Sequence, residues 1–409
     1  MAEVTTTANN DPSGTAFDDF LSRSGFLDGE GGGGRNPFRT GHLQYAEKCP
    51  QVQAKITHRE GNSVFSAKHF AILALAAAKR CKFLSFDVVH SHNMRVKILG
   101  SAAGGGFPQW NCACSNCSAL RAGTFHGKAR TQTQVAISQD GHSWFLLGAS
   151  PDLRVQIEST PELHPRAGVP DGVRQSPIAG VVLANADVDH VLGLLLLREL
   201  QPLRIHATAS IRRIIREENS MFGMLHRITD QATWVDFRPD TSFLLCNPGG
   251  ENSALRCRAL SLGTHYPPYV TPKRQSELIA GEASLGLLID SPSGKRLAYM
   301  PAVPQVDDAL LQEFESADLL LFDGTFWSDD ELIRIQGSGE TSQTARQMGH
   351  IPVSSPQGSL TRLAGLRRPR KIYLHINNTN PMLDEAGPEL RQVRELGWQI
   401  AEDGWQYDL

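Results

Sequence analysis

From residue 94 onward the chain alternates short apolar runs with stretches of helical character. Residues 95–99 (RVKIL), directly after Met94, form a strand-like run. Residues 133–138 (TQVAIS) and 143–147 (SWFLL) are of strand length and are joined through Asp140-Gly141, a strong hairpin signal. Residues 178–183 (IAGVVL) read as a buried strand that leads into a helix over 190–200 (HVLGLLLLREL). A short strand follows at 203–206, then strand runs at 256–261, 285–290, 296–300 and 318–323 (DLLLFD). Residues 307–314 read as helix, 371–376 (KIYLHI) as a late strand, and 388–396 as a late helix opening on Pro388. No repeat of solenoid period is present. Mixed elements on this scale predict layered sheets covered by helices, an α+β or α/β architecture.

Residues 1–93 differ from the rest. They are rich in Thr, Asn, Gly and Asp and carry the run 29–34 (GEGGGG), a composition of linker or disorder. They read as an N-terminal extension, with Met94 as the expected start of a domain over 94–409. The apolar run 71–78 (AILALAAA) falls far short of the roughly 20 residues that span a bilayer. No membrane span and a cytoplasmic location are expected. The net charge of −3 gives no basic stripe for nucleic acid, so no nucleic-acid partner is expected.

Of the seven cysteines, Cys112, Cys114 and Cys117 sit together in a loop after the first strand. Three thiolates within six residues can wrap one ion without a long loop closure. In a large chain of a reducing compartment, zinc is the better reading than a disulfide framework. Such a sulfur-rich site reads as structural, because it leaves no open position for chemistry. Its fourth ligand lies elsewhere; His126 is the nearest histidine.

A second constellation is Asn185-Ala-Asp187-Val-Asp189-His190, where the strand over 178–183 ends. Loops at strand ends are where α/β proteins place their chemistry. Asp323-Gly-Thr ends the run DLLLFD, and His375 ends KIYLH. A lone Asp after a strand is usually a cap, and a lone His usually a satisfied core residue. Several such residues at strand ends of a layered fold point instead to a metal site. His265 follows another strand, and His350 sits in the loop-like Gly349-His350-Ile-Pro.

This arrangement resembles the metallo-β-lactamase superfamily, whose signature is His-x-His-x-Asp-His after a strand, with later His, Asp and His ligands. The resemblance implies a four-layer αββα sandwich. By position, Asn185 and Asp187 stand where the two leading histidines would be, and Asp189 and His190 match directly. His265 approximates the middle histidine, Asp323 the bridging aspartate and His375 the last histidine. One metal's ligand set is therefore lost and the other kept. Asp189, His190 and His375 form two histidines and a carboxylate, the facial triad of non-haem Fe(II) oxygenases.

A closer likeness rests on the block from Gly100 to Cys117 (GSAAGGGFPQWNCACSNC), on Ala129-Arg-Thr-Gln132, and on Ala149-Ser-Pro-Asp-Leu-Arg154. It extends through Asn185–His190, Asp323-Gly-Thr325, Met348-Gly-His350 and His375-Ile-Asn-Asn-Thr-Asn-Pro381. These motifs span 94–409 and are similar to the pyrroloquinoline quinone (PQQ) biosynthesis B family. Gly148 stands where that pattern has a polar Asn. The resemblance implies a role in PQQ biosynthesis, either as a hydroxylase of the tyrosine ring of a Glu–Tyr intermediate or as a soluble carrier moving PQQ or its precursor toward the periplasm. A metal-dependent hydrolase retaining the superfamily's chemistry is a third class. The expected partners are a Glu–Tyr dipeptide or PQQ precursor, O2, and PQQ itself. The expected cofactors are Fe(II) at Asp189, His190 and His375, and zinc at Cys112, Cys114 and Cys117. Asp323 is expected to orient a ligating histidine, and His350 to act as acid or base. Arg130 and Arg154 are expected to pair with substrate carboxylates, and Asn377, Asn378 and Asn380 to offer amide donors.

Overall fold

The computed structural model describes residues 93–166, 174–337 and 343–409. The expected extension up to residue 92, with its apolar run at 71–78 and Cys49 and Cys81, lies outside the described residues. In chain order the strands are β1 (Arg95–Gly100), β2 (Gln134–Ser138), β3 (Trp144–Leu147), β4 (Ile178–Val182), β5 (Leu203–Ala207), β6 (Ala232–Asp236) and β7 (Ser242–Cys246). There follow β8 (Asn252–Gly263), β9 (Ser284–Asp290), β10 (Arg296–Met300), β11 (Leu319–Asp323), β12 (Arg370–Leu374), β13 (Trp398–Ile400) and β14 (Gln406–Asp408). They build two seven-stranded mixed sheets, ordered β14-β1-β2-β3-β4-β5-β6 and β13-β12-β11-β10-β9-β8-β7.

Alternation along a strand shows how the layers stack. In β11, Leu319 and Leu321 join the apolar cluster between the sheets, which also holds Val181, Ile205, Leu287 and Ile372. Leu320 and Phe322 point the other way, into a cluster with Phe314, Leu360, Leu390 and Val393 from the outer helices. Successive side chains of a strand face opposite sides, so a run such as LLLFD is apolar throughout because both faces are covered. The helices Leu153–Glu158 and Ala209–Glu218 cover the other sheet through Leu153, Ile211, Ile214 and Ile215. This is the four-layer αββα sandwich of the metallo-β-lactamase fold. The helix Ala209–Glu218 was not expected above, although its Thr208 cap and the spacing of Ile211, Ile214 and Ile215 are legible signals.

The helix expected over 190–200 is instead one turn, Val188–Val191, followed by a tighter 3-10 stretch, Leu192–Leu197. The cause is close packing at Gly193. Its amide donates to Ala149 O at 2.9 Å, and a Cβ there would lie 2.2 Å from Ser150 O. Packing against that turn overrides the local preference for a regular helix.

Both sheets deliver strand ends to one edge, where backbone bonds tie them together. Leu285 N of β9 donates to Ala184 O just beyond β4, at 2.9 Å. Beyond β1, Ala103 N donates to Ile376 O (2.9 Å), and Ile376 N donates back to Ser101 O (3.0 Å). The loops after β1, β4, β11 and β12 thus converge. No helix among the described residues is long and apolar enough to cross a membrane.

Candidate metal centre

Two groups of ligand atoms assemble at that edge, and a third lies nearby. In each, one atom per residue falls within 4.8 Å of the others: Asp189, His190 and His375; Asp323, His350 and His375; and Cys112, Cys114 and Cys117. The first group joins the loop after β4 to the end of β12. Asp189 Oδ2 lies 3.2 Å from His375 Nε2 and 3.8 Å from His190 Nε2. The rings of His190 and His375 stack with centroids 5.3 Å apart, and His350 stacks on the far side of His375 at 5.5 Å.

Hydrogen bonds decide which group is open to a cation. Asp323 is fully buried and accepts from Val303 N (2.8 Å), Thr325 N (3.0 Å), Thr325 Oγ1 (2.7 Å) and His350 Nδ1 (2.8 Å). With its hydroxyl proton given to Asp323, Thr325 Oγ1 accepts from His375 Nδ1 at 2.8 Å. This network assigns the protons and leaves His375 Nε2 with its lone pair toward Asp189. A lone pair facing a carboxylate oxygen at 3.2 Å needs a proton or a cation between them. The Asp323 group, in contrast, is already closed by its own hydrogen bonds. Asp189, His190 and His375 therefore fit a divalent ion, with Thr325 and Asp323 orienting the ligating imidazole from behind.

Electrostatics agree with that fit. Burial lowers His190 to about 4, against the pull of Asp189, so its imidazole is neutral at pH 7 and free to ligate. Burial alone would raise Asp189, but the imidazoles of His190 and His375 beside it outweigh burial and hold it well below the usual carboxylate range. Burial would lower His350, yet the adjoining Asp323 carboxylate outweighs it and raises this imidazole. Burial, then the charge of Asp189, push Asp187 up to about 7.

The positions matching the leading histidines hold no such donors. Asn185 Oδ1 accepts the amide of Asp187 at 3.2 Å, an internal loop bond. Asp187 is half-buried beside Asp189. His265 packs against Gly349, where a Cβ would lie 3.4 Å from its ring. His350, not His265, belongs to a ligand-distance group, which corrects the expected place of the middle histidine. Gly148, with φ 82°, lies under His190; a Cβ there would come 3.4 Å from His190 Nδ1 and O. With no side chain at Gly148, the imidazole packs on bare backbone.

The expected substrate contacts divide. Arg154 is exposed on the helix Leu153–Glu158. Arg130 is buried, donates from Nη1 to Ser101 Oγ (3.0 Å) and to Ala401 O, and leaves Nε and Nη2 without partners among the described residues. It lines a cleft of about 340 Å3 with Gly105, Gly106, Thr131 and Asp152. Asn377 donates to Thr379 Oγ1. Asn380 and Asn378 have their side-chain amides engaged inside the fold. Asn380 Nδ2 donates to Gly324 O and Thr325 O (3.0 and 3.3 Å) while its Oδ1 accepts Met382 N. Asn378 turns to the cysteine cluster, 3.2, 3.7 and 3.3 Å from the sulfurs of Cys112, Cys114 and Cys117. His126 does not complete that cluster: its side chain is 74% exposed, with Nδ1 3.8 Å from Asp384.

Sequence reasoning passed over two residues. Thr325 joins Asp323, His350 and His375, and its signal was its place in Asp323-Gly-Thr325. Glu331, pushed up to about 7 by burial, accepts from Thr379 and from Trp327 N beneath the 375–380 loop. No sequence pattern marks Glu331, because its partner is 48 residues away.

The chain resembles known proteins along most of this fold. Residues 143–376 match the Beta-lactamase superfamily domain. Coenzyme PQQ synthesis protein B of Methylorubrum populi is 42% identical over 316 residues, covering 77% of this chain and all of the relative. The protein of that name from Ruegeria pomeroyi is 41% identical over 317 residues, again covering 77% and 100%. Among solved structures, Zn(2+)-bound PqqB from Methylobacterium extorquens is 39% identical, covers 77% of this chain and all of its own, and superposes with a TM-score of 0.69. A diphosphatase of the PhnP family, at 17% identity and a TM-score of 0.51, shares the fold alone.

Proposed function

Because this chain belongs to the coenzyme PQQ synthesis protein B family of the beta-lactamase superfamily, we propose that it acts as an Fe(II)- and O2-dependent hydroxylase of the tyrosine ring of a Glu–Tyr intermediate. The observation that carries this reading is the donor set of Asp189, His190 and His375, without histidines at positions 185 and 187. Two histidines and one carboxylate leave positions open for substrate and O2. A two-metal hydrolase would need the missing donors, and Asn185 is engaged by its own loop.

Bound at this triad, Fe(II) would supply O2 activation. The chain's own residues bind and orient. Thr325 fixes the tautomer and tilt of His375 through Nδ1. His350, whose charged form the adjoining Asp323 carboxylate favours, would act as acid or base toward a phenol oxygen of the substrate ring. Arg130, through the nitrogens it leaves unpartnered, and exposed Arg154 would receive substrate carboxylates. The thiols of Cys112, Cys114 and Cys117 suit zinc, by ligand softness and by three-sulfur geometry.

Anaerobic reconstitution of residues 94–409 with Fe(II), then addition of a Glu–Tyr dipeptide, O2 and a two-electron reductant, tests the proposal. The expected product gains one oxygen atom by mass, and the gain vanishes in His190→Ala and His375→Ala. Iron bound at the triad with no product would overturn the hydroxylase in favour of a soluble carrier of PQQ or its precursor. Cleavage of an ester or amide without O2 would favour the hydrolase.

A further inference from the structure

Glu331 is a buried carboxyl that the chemistry above does not use. Its two oxygens have different partners. Oε2 accepts Trp327 N at 2.6 Å, and Oε1 accepts the hydroxyl of Thr379. Asn377 Nδ2 meets Thr379 Oγ1 in turn, at 2.5 Å. A hydroxyl has one proton to give. While Glu331 is ionised that proton goes to the carboxylate, so Asn377 must turn its NH2 end to Thr379. The opposite end, Oδ1, has no partner among the described residues and is open to solvent. The donor end is thus used inside the fold, and the end left for a ligand is an acceptor, the reverse of the expected donor.

Asn377 is held beside the triad. It follows His375 by two residues, and its backbone N–H donates to Thr325 O at 3.0 Å, the same threonine whose hydroxyl accepts His375 Nδ1. Its own carbonyl accepts Asn380 N at 3.0 Å. The backbone is pinned on both sides, while the amide can reverse by a half-turn about its last bond. A proton on Glu331 drives that turn. Trp327 N can only donate to Oε2, so the proton sits on Oε1, toward Thr379. Thr379 then accepts from Glu331 and donates to Asn377 Oδ1, which sends the NH2 end outward. Burial raises Glu331 to about 7, so both states are populated near neutral pH. Arg334, three residues on in the same helix and paired with Asp330 at 3.2 Å, acts on it less than burial and its hydrogen bonds do. In the preceding turn Asp329 accepts Arg346 N at 3.0 Å, and His350 stands edge-on to Phe326. From the 375–380 loop Glu331 meets the uncharged Thr379.

We propose that Glu331, acting through Thr379, sets which end of the Asn377 amide meets substrate, and that with Glu331 ionised this end is Oδ1, which binds an N–H group such as the amino group of a Glu–Tyr unit. Only the identity of that amino group rests on the substrate proposed above; the polarity of the amide does not. Glu331 and Thr379 are positioning residues, and Asn377 is the residue that touches substrate.

The side-chain nitrogen–proton NMR signals of Asn377, identified by their loss in Asn377→Asp, are followed in the full chain from about pH 8.5 to about pH 5.5. They are expected to move between two limits with a midpoint of about 7. In Glu331→Gln the new NH2 group donates to Thr379 at every pH, so the signals are expected to stay at the low-pH limit. Signals that do not move in the wild type, or that titrate unchanged in Glu331→Gln, would overturn the relay. Should Glu331→Gln not fold, Thr379→Val is expected to abolish the titration and Thr379→Ser to keep it; the same movement in both overturns the relay. Calorimetry then reads the ligand. At about pH 8, Glu331→Gln is expected to bind the Glu–Tyr dipeptide about tenfold or more weakly than the wild type does, because an NH2 now faces the amino group. An analogue with hydrogen in place of that amino group should bind both proteins alike. Equal weakening of the analogue would overturn the amino-group assignment. A dipeptide that binds neither protein would overturn the substrate proposed above together with that assignment, whereas the amide titration stands on its own.

Discussion

His375 Nε2 lies 3.2 Å from Asp189 Oδ2, although 186 residues separate the two along the chain. His375 makes that approach with a left-handed backbone, φ 58°, a conformation that costs about 1–3 kcal/mol in a non-glycine residue. The parallel pairing of β12 with β11 up to Leu374 brings the residue to the edge, and the bond from Nδ1 to Thr325 turns the ring. Either His375→Ala or Asp189→Asn is expected to lower iron bound at the triad from near one ion per chain to near none. Zinc at the cysteine cluster should fall little in Asp189→Asn. Metal analysis after gel filtration checks both; full iron occupancy in either variant would refute the triad.

Thr325 is the hinge of the network behind the metal. Thr325→Val removes the hydroxyl between Asp323 Oδ1 and His375 Nδ1 while keeping the volume. Leaving buried polar partners unmet should destabilise the fold by about 1–3 kcal/mol and weaken metal binding by about 10- to 100-fold. Thr325→Ser should recover most of both, as read by urea unfolding and metal titration.

Gly148 matters for its backbone. At φ 82°, with a Cβ position 3.4 Å from His190 Nδ1 and O, alanine would be strained and would press on the ligating ring. Gly148→Ala is expected to lose about 1–2 kcal/mol of stability and to bind iron more weakly. Ala149→Gly, next in the chain, should leave iron affinity unchanged.

His206 tests the acid side of the stability curve. It is fully buried in β5, with both ring nitrogens lacking a hydrogen-bond partner among the described residues and the ring stacked on Phe243. Burial lowers it to about 4, while an unfolded histidine titrates near ~6.5. Below that value the unfolded chain takes up the proton first, so stability is full above about pH 6.5 and is lost as pH falls toward 4. Between pH 8 and pH 5 the wild type should lose about 2 kcal/mol more than His206→Leu, in metal-free protein. Equal losses in the two proteins would refute the assignment.

Arg154 and Arg130 should separate by stability. Arg154→Ala, at an exposed helix position, is expected to raise KM for the dipeptide with no change in Tm. Arg130→Ala is expected to lower Tm as well, because it releases Ala401 O and Ser101 Oγ from a buried guanidinium.

The sequence by itself determined the interior. β10 was legible to the residue, and β9, β11 and the strand before Asp187 to within one, because buried strands read as continuous apolar runs. The four strands it did not reveal, β6, β7, β13 and β14, are the four edges of the two sheets. An edge strand needs apolar contact on fewer sides, and β6 and β7 have largely exposed or half-exposed positions, so their pattern carries little signal. Spacing likewise supplied the three cysteines, and the resemblance to the superfamily singled out the donors Asp189, His190 and His375. Only the tertiary structure decided which histidine stands beside Asp323, that Thr325 joins the network, and that Asn378 faces sulfur. Those choices depend on which strand ends lie side by side, a long-range property that no local window of sequence contains.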